Sequence, residues 1–277
     1  MVLENDPYLP PAALERCWRI KPDVNALLRD VVPRRADTYS MFLDFLISRN
    51  EPAAAASVWT QIVEIQQPVE TRNVFNYVQY LIERKEVAEA HQVWQQAAIL
   101  SNLLGYQPSP ENLVVNGDFS QPVLNGGFDW RYEKLSDVSL ALDPTESHSG
   151  HRSLSITFDS RGIEDAGIRQ LIPVEPNATY EFSAYFKSEA LEGAGGPRFL
   201  LQDQFTATSY FASQELKDAD FWKQVSGTFN TGPDTKLLLL RIQRVPPGNA
   251  IRGKLWIDSV RLAQIHPAQE QAAEVGQ

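Results

Sequence analysis

The stretch TYEFSAYFK (179–187) decides the fold of the second half of the chain. Large apolar side chains alternate along it, so that Tyr180 and Phe182 share one face while Tyr185 and Lys187 share the other. Similar short runs follow one another between turn signals: SLSITF (153–158), RFLLQDQF (198–205), KQVSGTF (223–229), KLLLLRIQ (236–243) and KLWIDSVRL (254–262). Many short strands without intervening helices predict an all-β sandwich or barrel.

The first hundred residues have a different pattern, because they contain an internal repeat. The segment FLDFLISRNEPAAAASVWTQ (42–61) aligns without gaps on YVQYLIERKEVAEAHQVWQQ (77–96), with an offset of 35 residues. Apolar residues at three- and four-residue spacing, on both sides of a brief polar turn, indicate two helices in each unit. Trp59 and Trp94 fall at equivalent positions, which predicts packing between helices.

A helix pair of this period, with small residues at the start of its second helix, resembles the tetratricopeptide repeat. The resemblance implies a protein-docking surface, and a structural spacer is the alternative. We expect residues 12–20 to be the second helix of a preceding unit and residues 22–32 to form another helix. The predicted division is a helical repeat domain (1–105), a linker (106–111), a β-sandwich (112–266) and a flexible tail (267–277).

Five motifs of the β region occur in an order that resembles carbohydrate-binding modules of the family 4/9 type. They are NLVVNGDFS with GGFDW (112–130), HSGHRSLSI (148–156), IPVEPNATYEFSAYFKS (172–188), FWKQVSGTF (221–229) and LWIDSVRL (255–262). The resemblance implies a jelly-roll sandwich with a galactose-binding-like fold, a polysaccharide or oligosaccharide ligand, and a groove across the concave sheet. It also places Trp130 and Trp222 in structural motifs, where we expect them in the core.

Sugars are bound by aromatic rings that stack on them and by polar side chains that bond their hydroxyl groups. The outward half of 179–187 offers Tyr185 and Lys187, and alternation in later strands offers further polar positions. Tyr210 is expected in a loop at the rim of the groove. The predicted carbohydrate-binding residues are Tyr185, Lys187, Gln202, Gln204, Tyr210, Arg241 and Gln243. The alternative is that Tyr185 is a packing aromatic and the polar residues are a solvated face.

Many modules of this type hold a structural calcium ion between their first and last strands. Asp118 and Asp258 stand at the matching motif positions and have the hard oxygen atoms that Ca²⁺ prefers. Ser120 stands where a further carboxylate is often found. Structural Ca²⁺ at Asp118 and Asp258 is therefore an expectation, and no other cofactor is predicted.

Composition excludes several kinds of partner. The net charge is −10 and both halves of the chain are acidic, which argues against nucleic acid and against an anionic membrane surface. No apolar run approaches the roughly 20 residues that span a bilayer, and residues 1–14 lack the pattern of a signal peptide. We expect an extracytoplasmic location, periplasmic or in the cell envelope, if the chain is part of a longer exported protein.

Catalytic motifs are missing from the sequence, which contains no nucleophile elbow, phosphate-binding loop or H-E-x-x-H pattern. His148 and His151 flank a turn, and Glu164 and Asp165 are expected to be solvated charges. We therefore predict non-catalytic carbohydrate binding, with the helical repeat as a docking or spacer element. The alternative is an interaction or assembly protein of a cell-envelope or polysaccharide-export system whose sandwich no longer binds sugar. A degenerate hydrolase is the least favoured hypothesis.

Overall fold

The computed structural model describes residues 11–265. It divides into two compact units between Leu104 and Gly105. The first unit is helical and the second is a β-sandwich, which confirms the predicted change of fold along the chain. The predicted tail, 267–277, lies outside the described residues.

Six α-helices form the described part of the first unit. The two predicted repeat units are present as helix pairs, and the turns inside them match: Asn50 and Lys85 both adopt the left-handed conformation. Trp59 and Trp94 are buried, as predicted. The helices are α1 (Pro11–Ile20), α2 (Val24–Asp30), α3 (Ala36–Ser48), α4 (Pro52–Ile65), α5 (Thr71–Glu83) and α6 (Val87–Leu100).

The first helix has a different place from the one predicted for residues 12–20. α1 packs against α3, where Trp18 lies edge-on to Phe42 and Phe45. α3 and α5, the first helices of the two repeat units, pack against each other in the same way. α2 packs against α4, which is a second helix. Helix α1 is therefore the first helix of a pair, and its prediction as a second helix is wrong. The tetratricopeptide class remains a prediction. None of the helices in residues 11–265 has the length and apolar character needed to cross a membrane.

Ten strands form the two antiparallel sheets in the described part of the second unit. Sheet I has the order β1-β4-β9-β6-β7, and sheet II has the order β2-β3-β10-β5-β8. The strands are β1 (Arg131–Tyr132), β2 (Val138–Asp143), β3 (Ser153–Gly162), β4 (Asp165–Pro173), β5 (Thr179–Gly193), β6 (Pro197–Asp203), β7 (Ser209–Ala212), β8 (Lys223–Asn230), β9 (Leu237–Arg244) and β10 (Ala250–Ile265).

The hydrophobic core of the second unit lies between the two sheets. Tyr180 and Phe182 are fully buried in it, whereas Tyr185 projects from the other side of β5, so the alternation predicted for this strand is confirmed. Trp130 also belongs to this core, as predicted. Tyr106, within the predicted linker, is buried and donates a hydrogen bond from its hydroxyl to the carbonyl of Pro122 (2.9 Å).

Candidate functional site

The predicted binding residues lie on two opposite surfaces of the sandwich. Tyr185 and Lys187 project outward from β5 in sheet II, whereas Gln202, Arg241 and Gln243 project outward from β6 and β9 in sheet I. The hydrophobic core separates these two outer surfaces. The prediction that they line one groove is therefore wrong, because alternation defines the side of a strand but not the sheet that the strand joins.

The outer surface of sheet I is named the arginine face after three arginines in register. Arg131 of β1 is paired with Arg169 of β4, and Arg169 is paired with Arg241 of β9. Leu200 of β6 continues the row beyond Arg241. No outward position of β4, β6 or β9 holds an aromatic residue. Recognition on this face therefore depends on hydrogen bonds, charge and aliphatic contacts.

Charges on the arginine face are only partly neutralised by the protein itself. Arg169 pairs with Glu133 at 2.7 Å, and Nε of Arg241 lies 3.7 Å from a carboxylate oxygen of Asp165, which is too long for a hydrogen bond. Burial raises the pKa of Asp165, although the nearby positive charges oppose this. Burial and the charge of Arg169 lower the pKa of Arg131. The face is thus a mixed surface of guanidinium and carboxylate groups.

Two polar side chains on neighbouring strands of the arginine face have unused hydrogen-bonding groups. The two terminal nitrogens of Arg241 make no hydrogen bond within residues 11–265, and of its three guanidinium nitrogens only Nε is buried without a partner. Gln202 on β6 is half-buried, and its amide has no hydrogen bond to another described residue. Gln243 is engaged, because its amide donates to Glu164 at 3.0 Å. A cleft of about 370 Å³ adjoins Arg241. The residues that line it include Arg169, Arg241 and the carboxylates Glu133, Glu164 and Asp165.

The outer surface of sheet II is named the tyrosine face, and its central aromatic ring is covered. His148, from the loop before β3, stacks on Tyr185 with ring centroids 3.5 Å apart and an angle of 13° between the rings. Trp222 is half-buried and lies edge-on to His148 at 5.9 Å, so its predicted place in the core is wrong. Lys187 pairs with Glu146 at 2.9 Å. The ring of Tyr185 and the ammonium group of Lys187 are therefore both engaged by protein groups.

Buried polar contacts hold the rest of the tyrosine face together. Asp258 is fully buried and accepts hydrogen bonds from the backbone N–H groups of His148 (2.7 Å) and Ser149 (2.8 Å). Trp256 is 4% exposed and donates from Nε1 to Asp143 at 2.9 Å. Its ring is also covered by lysine side chains, with the ammonium of Lys254 4.4 Å and that of Lys187 5.5 Å from the ring centroid. These contacts give Asp258 and Trp256 structural roles.

Tyr210 does not lie in a loop at an open rim. Tyr210 is in strand β7 rather than in a loop, its ring stacks on Phe229 at 6.2 Å, and its hydroxyl is 2.6 Å from that of Thr235. The predicted loop position of Tyr210 is therefore wrong, because its ring fills the edge of the core. Gln204 lies in the turn after β6, where its backbone N–H donates to the carbonyl of Leu237.

Of the two predicted calcium ligands, Asp258 accepts several hydrogen bonds and Asp118 accepts one. Asp258 accepts the two amides of the loop before β3, and Asp118 accepts the backbone N–H of Ser120 at 3.1 Å. Within the described part of the chain, no three His, Cys, Asp or Glu side chains form a group that could hold a metal ion. The carboxylate of Asp258, which accepts two backbone N–H groups, fits a loop anchor better than a cation site. Calcium remains an expectation of the resemblance, and a higher Tm in Ca²⁺ than in chelator would support it.

Sequence reasoning missed two features of this unit. Arg131 and Arg169 were not predicted as neighbours of Arg241, although the alternation in AGIRQLIPV (166–174) signals a strand. Asp129 is fully buried in the turn before β1, where it accepts the backbone N–H of Leu124 at 2.7 Å. Burial raises its pKa to about 7. No sequence pattern distinguishes this aspartate from a solvated one.

The comparison with known families concerns the sandwich unit. Residues 111–248 match the family model described as a carbohydrate binding domain, of the 4/9 type. This match covers just under half of the chain and supports the predicted carbohydrate-binding module. No curated protein matches the chain.

Solved structures of carbohydrate-binding modules are similar to part of the chain. One is described as "CBM4 structure and function", with 18% identity, a TM-score of 0.41, and coverage of 55% of this chain and 99% of that chain. A second is the CBM22-1 xylan-binding domain of Paenibacillus barcinonensis Xyn10C, with 16% identity, a TM-score of 0.37, and coverage of 54% and 92%. A third is TmCBM61 in complex with β-1,4-galactotriose, with 15% identity, a TM-score of 0.39, and coverage of 56% and 99%.

Proposed function

We propose that the β-sandwich unit binds a polysaccharide or oligosaccharide on the arginine face, without catalysis. The family match of residues 111–248 supports this proposal. The observation that favours this particular face is that Arg241 and Gln202 have unused hydrogen-bonding groups next to Leu200 and Leu239. Sugar hydroxyl groups need both donors and acceptors, which guanidinium and amide groups together provide, and the leucines offer contact for C–H groups.

Affinity electrophoresis of the full chain in gels containing different polysaccharides tests this function. At least one polysaccharide should retard the protein. Arg241→Ala should weaken that binding about tenfold or more, because a charge-assisted hydrogen bond is worth about 1.5–3 kcal/mol. Tyr185→Ala, on the opposite face, is the matched control and should retain full affinity. If no polysaccharide retards the intact chain, or if Tyr185→Ala alone abolishes binding, the proposal fails.

The absence of catalysis is a separate part of the proposal. The cleft contains two adjacent carboxyl groups, and both are near protein donors: Glu164 accepts from Gln243, and Asp165 lies close to Arg241. We expect incubation with any polysaccharide that is bound to release no reducing ends. Release that depends on Glu164 or Asp165 would contradict this part.

The helical unit is proposed to dock a protein partner or to act as a spacer. Repeated helix pairs support a docking role, since such pairs commonly form extended binding surfaces.

The chain is proposed to work outside the cytoplasm, where structural polysaccharides are found. The alternative, an assembly protein of a cell-envelope or polysaccharide-export system, would be favoured if the sandwich retains no polysaccharide.

A further inference from the structure

The arginine row is an unusual arrangement for the surface of a sheet. Arg131, Arg169 and Arg241 occupy directly paired positions on β1, β4 and β9. The row therefore spans two strand spacings, roughly 9–10 Å. Like charges directly opposite each other on neighbouring strands destabilise a sheet. The arrangement becomes favourable when anionic groups lie next to the guanidinium groups.

Carboxylates of the protein satisfy this row incompletely. Arg169 and Glu133 are 48% and 58% exposed, so their ion pair is a weak surface pair. Asp165 is 3.7 Å from Nε of Arg241, and that nitrogen has no hydrogen-bond partner within residues 11–265. The terminal guanidinium nitrogens of Arg241, unlike its Nε, are not buried, and they make no hydrogen bond within residues 11–265. A carboxylate of a ligand can therefore bind these nitrogens and compete with Glu133 for Arg169.

The acidic and the uncharged neighbours of Arg241 lie in opposite directions along β9. Asp165 is paired with Gln243, which lies two residues after Arg241 on β9. On the other side, Leu239 is paired with Gln202, and both are uncharged. An anionic group that approaches Arg241 from the side of Gln202 therefore meets little repulsion.

The arginine face is also poorly suited to a neutral sugar chain. Neutral rings gain much of their affinity by stacking on aromatic side chains, and the outward positions of β4, β6 and β9 hold none. Hydrogen bonds between neutral groups largely replace equivalent bonds to water. Bonds between Arg and a carboxylate are about twice as strong and are frequently bidentate. A ligand with carboxylate groups therefore matches this face better than a neutral one.

We propose that the arginine face selects polysaccharides that bear carboxylate groups, such as chains of uronic acid residues. This inference rests on the proposed carbohydrate binding and names the substrate class of the same surface. Arg241 and Arg169 bind the carboxylates, and Gln202 bonds the neighbouring hydroxyl groups.

The first experiment compares two forms of one polysaccharide with the full chain. Polygalacturonate and its fully methyl-esterified form have the same sugar backbone, but only the first is charged. Affinity electrophoresis should show binding of polygalacturonate that is at least about tenfold tighter than binding of the ester. A neutral xylan and a neutral β-glucan complete the panel.

Variants of two exposed glutamates give the sharper test. Glu133→Gln releases Arg169 and removes a negative charge beside the row, so it should tighten binding of polygalacturonate about two- to threefold. Glu181→Gln is the matched control, since Glu181 is an exposed glutamate paired with Arg261 at 3.1 Å on the tyrosine face. It changes the net charge equally and should leave the affinity unchanged. Thermal melting of both variants checks that they are folded.

The outcomes separate this inference from the proposed function. Preference for polygalacturonate together with tighter binding by Glu133→Gln supports an acidic ligand. Equal or stronger binding of the ester, xylan or glucan overturns the acidic class while carbohydrate binding stands. Weaker binding of Glu133→Gln than of Glu181→Gln also overturns it, because the carboxylate of Glu133 then serves as an acceptor for sugar hydroxyl groups. If no polysaccharide in a broad panel binds, the proposed function itself fails.

Discussion

The arginine face and the tyrosine face are the outer surfaces of two five-stranded sheets, and they differ in how their polar groups are used. On the tyrosine face, His148 covers Tyr185, Lys187 pairs with Glu146, and Asp258 holds the loop before β3. On the arginine face, the accessible terminal nitrogens of Arg241 have no hydrogen-bond partner among the described residues.

This comparison shows that residue type alone does not identify a binding surface. Tyrosine and tryptophan are the usual indicators of a sugar site, yet here Tyr185 and Trp256 lie under other side chains. An accessible charged donor without a partner is the better indicator, since a group that is already bonded must lose a partner before it can bind a ligand.

The largest effect is expected at Asp129, in the turn before β1, the edge strand of sheet I. The folded protein retains the proton of this carboxyl group up to about pH 7, whereas the unfolded chain releases it near 3.8. Raising the pH from 4 to 8 therefore favours unfolding, by about 4 kcal/mol in this contribution. Asp129→Asn should remove this loss, so its advantage in Tm over the wild type should grow from pH 5 to pH 8. An advantage independent of pH would show that burial does not raise the pKa.

A smaller loss is expected at the loop anchor of the tyrosine face. Asp258→Ala leaves the backbone N–H groups of His148 and Ser149 without their charged acceptor. Since a hydrogen bond to a charged group is worth about 1.5–3 kcal/mol, the free energy of unfolding should fall by about 3 kcal/mol in urea titrations. Asp258→Asn retains one oxygen acceptor and should lose less. Polysaccharide affinity should remain unchanged in Asp258→Asn. A tenfold loss of affinity in this folded variant would place the ligand on the tyrosine face.

The smallest expected effect concerns the stacked pair on the tyrosine face. Tyr185→Ala removes the ring beneath His148 and should lower the free energy of unfolding by about 1 kcal/mol, as expected for an aromatic pair. Tyr185→Phe keeps the ring and should be nearly neutral, because the hydroxyl of Tyr185 is in none of the hydrogen bonds among the described residues. A large loss in Tyr185→Phe would contradict a role in packing alone.

Much of the fold follows from local pattern. Alternation in 179–187 correctly separated the buried Tyr180 and Phe182 from the outward Tyr185, and the 35-residue repeat correctly predicted two helix pairs. These features depend on residues close in sequence, whose side of a strand or helix is defined by the period of that element.

The candidate site could be predicted only in part, because it depends on which strands pair. β5 joins sheet II whereas β6 and β9 join sheet I, so Tyr185 and Arg241 are separated although their patterns are alike. The pairing of Arg169 with Arg241 joins positions that are far apart in sequence. Covering contacts, such as His148 on Tyr185, also depend on distant loops.

The most direct test of the account is to map the bound ligand by NMR. An isotopically labelled full chain would be titrated with an oligosaccharide of a polysaccharide that it binds, while backbone amide shifts are followed. The account predicts the largest changes at Gln202, Arg241 and Arg169, with none at Tyr185 or Lys187. Changes concentrated around Tyr185, His148 and Trp222 would contradict it.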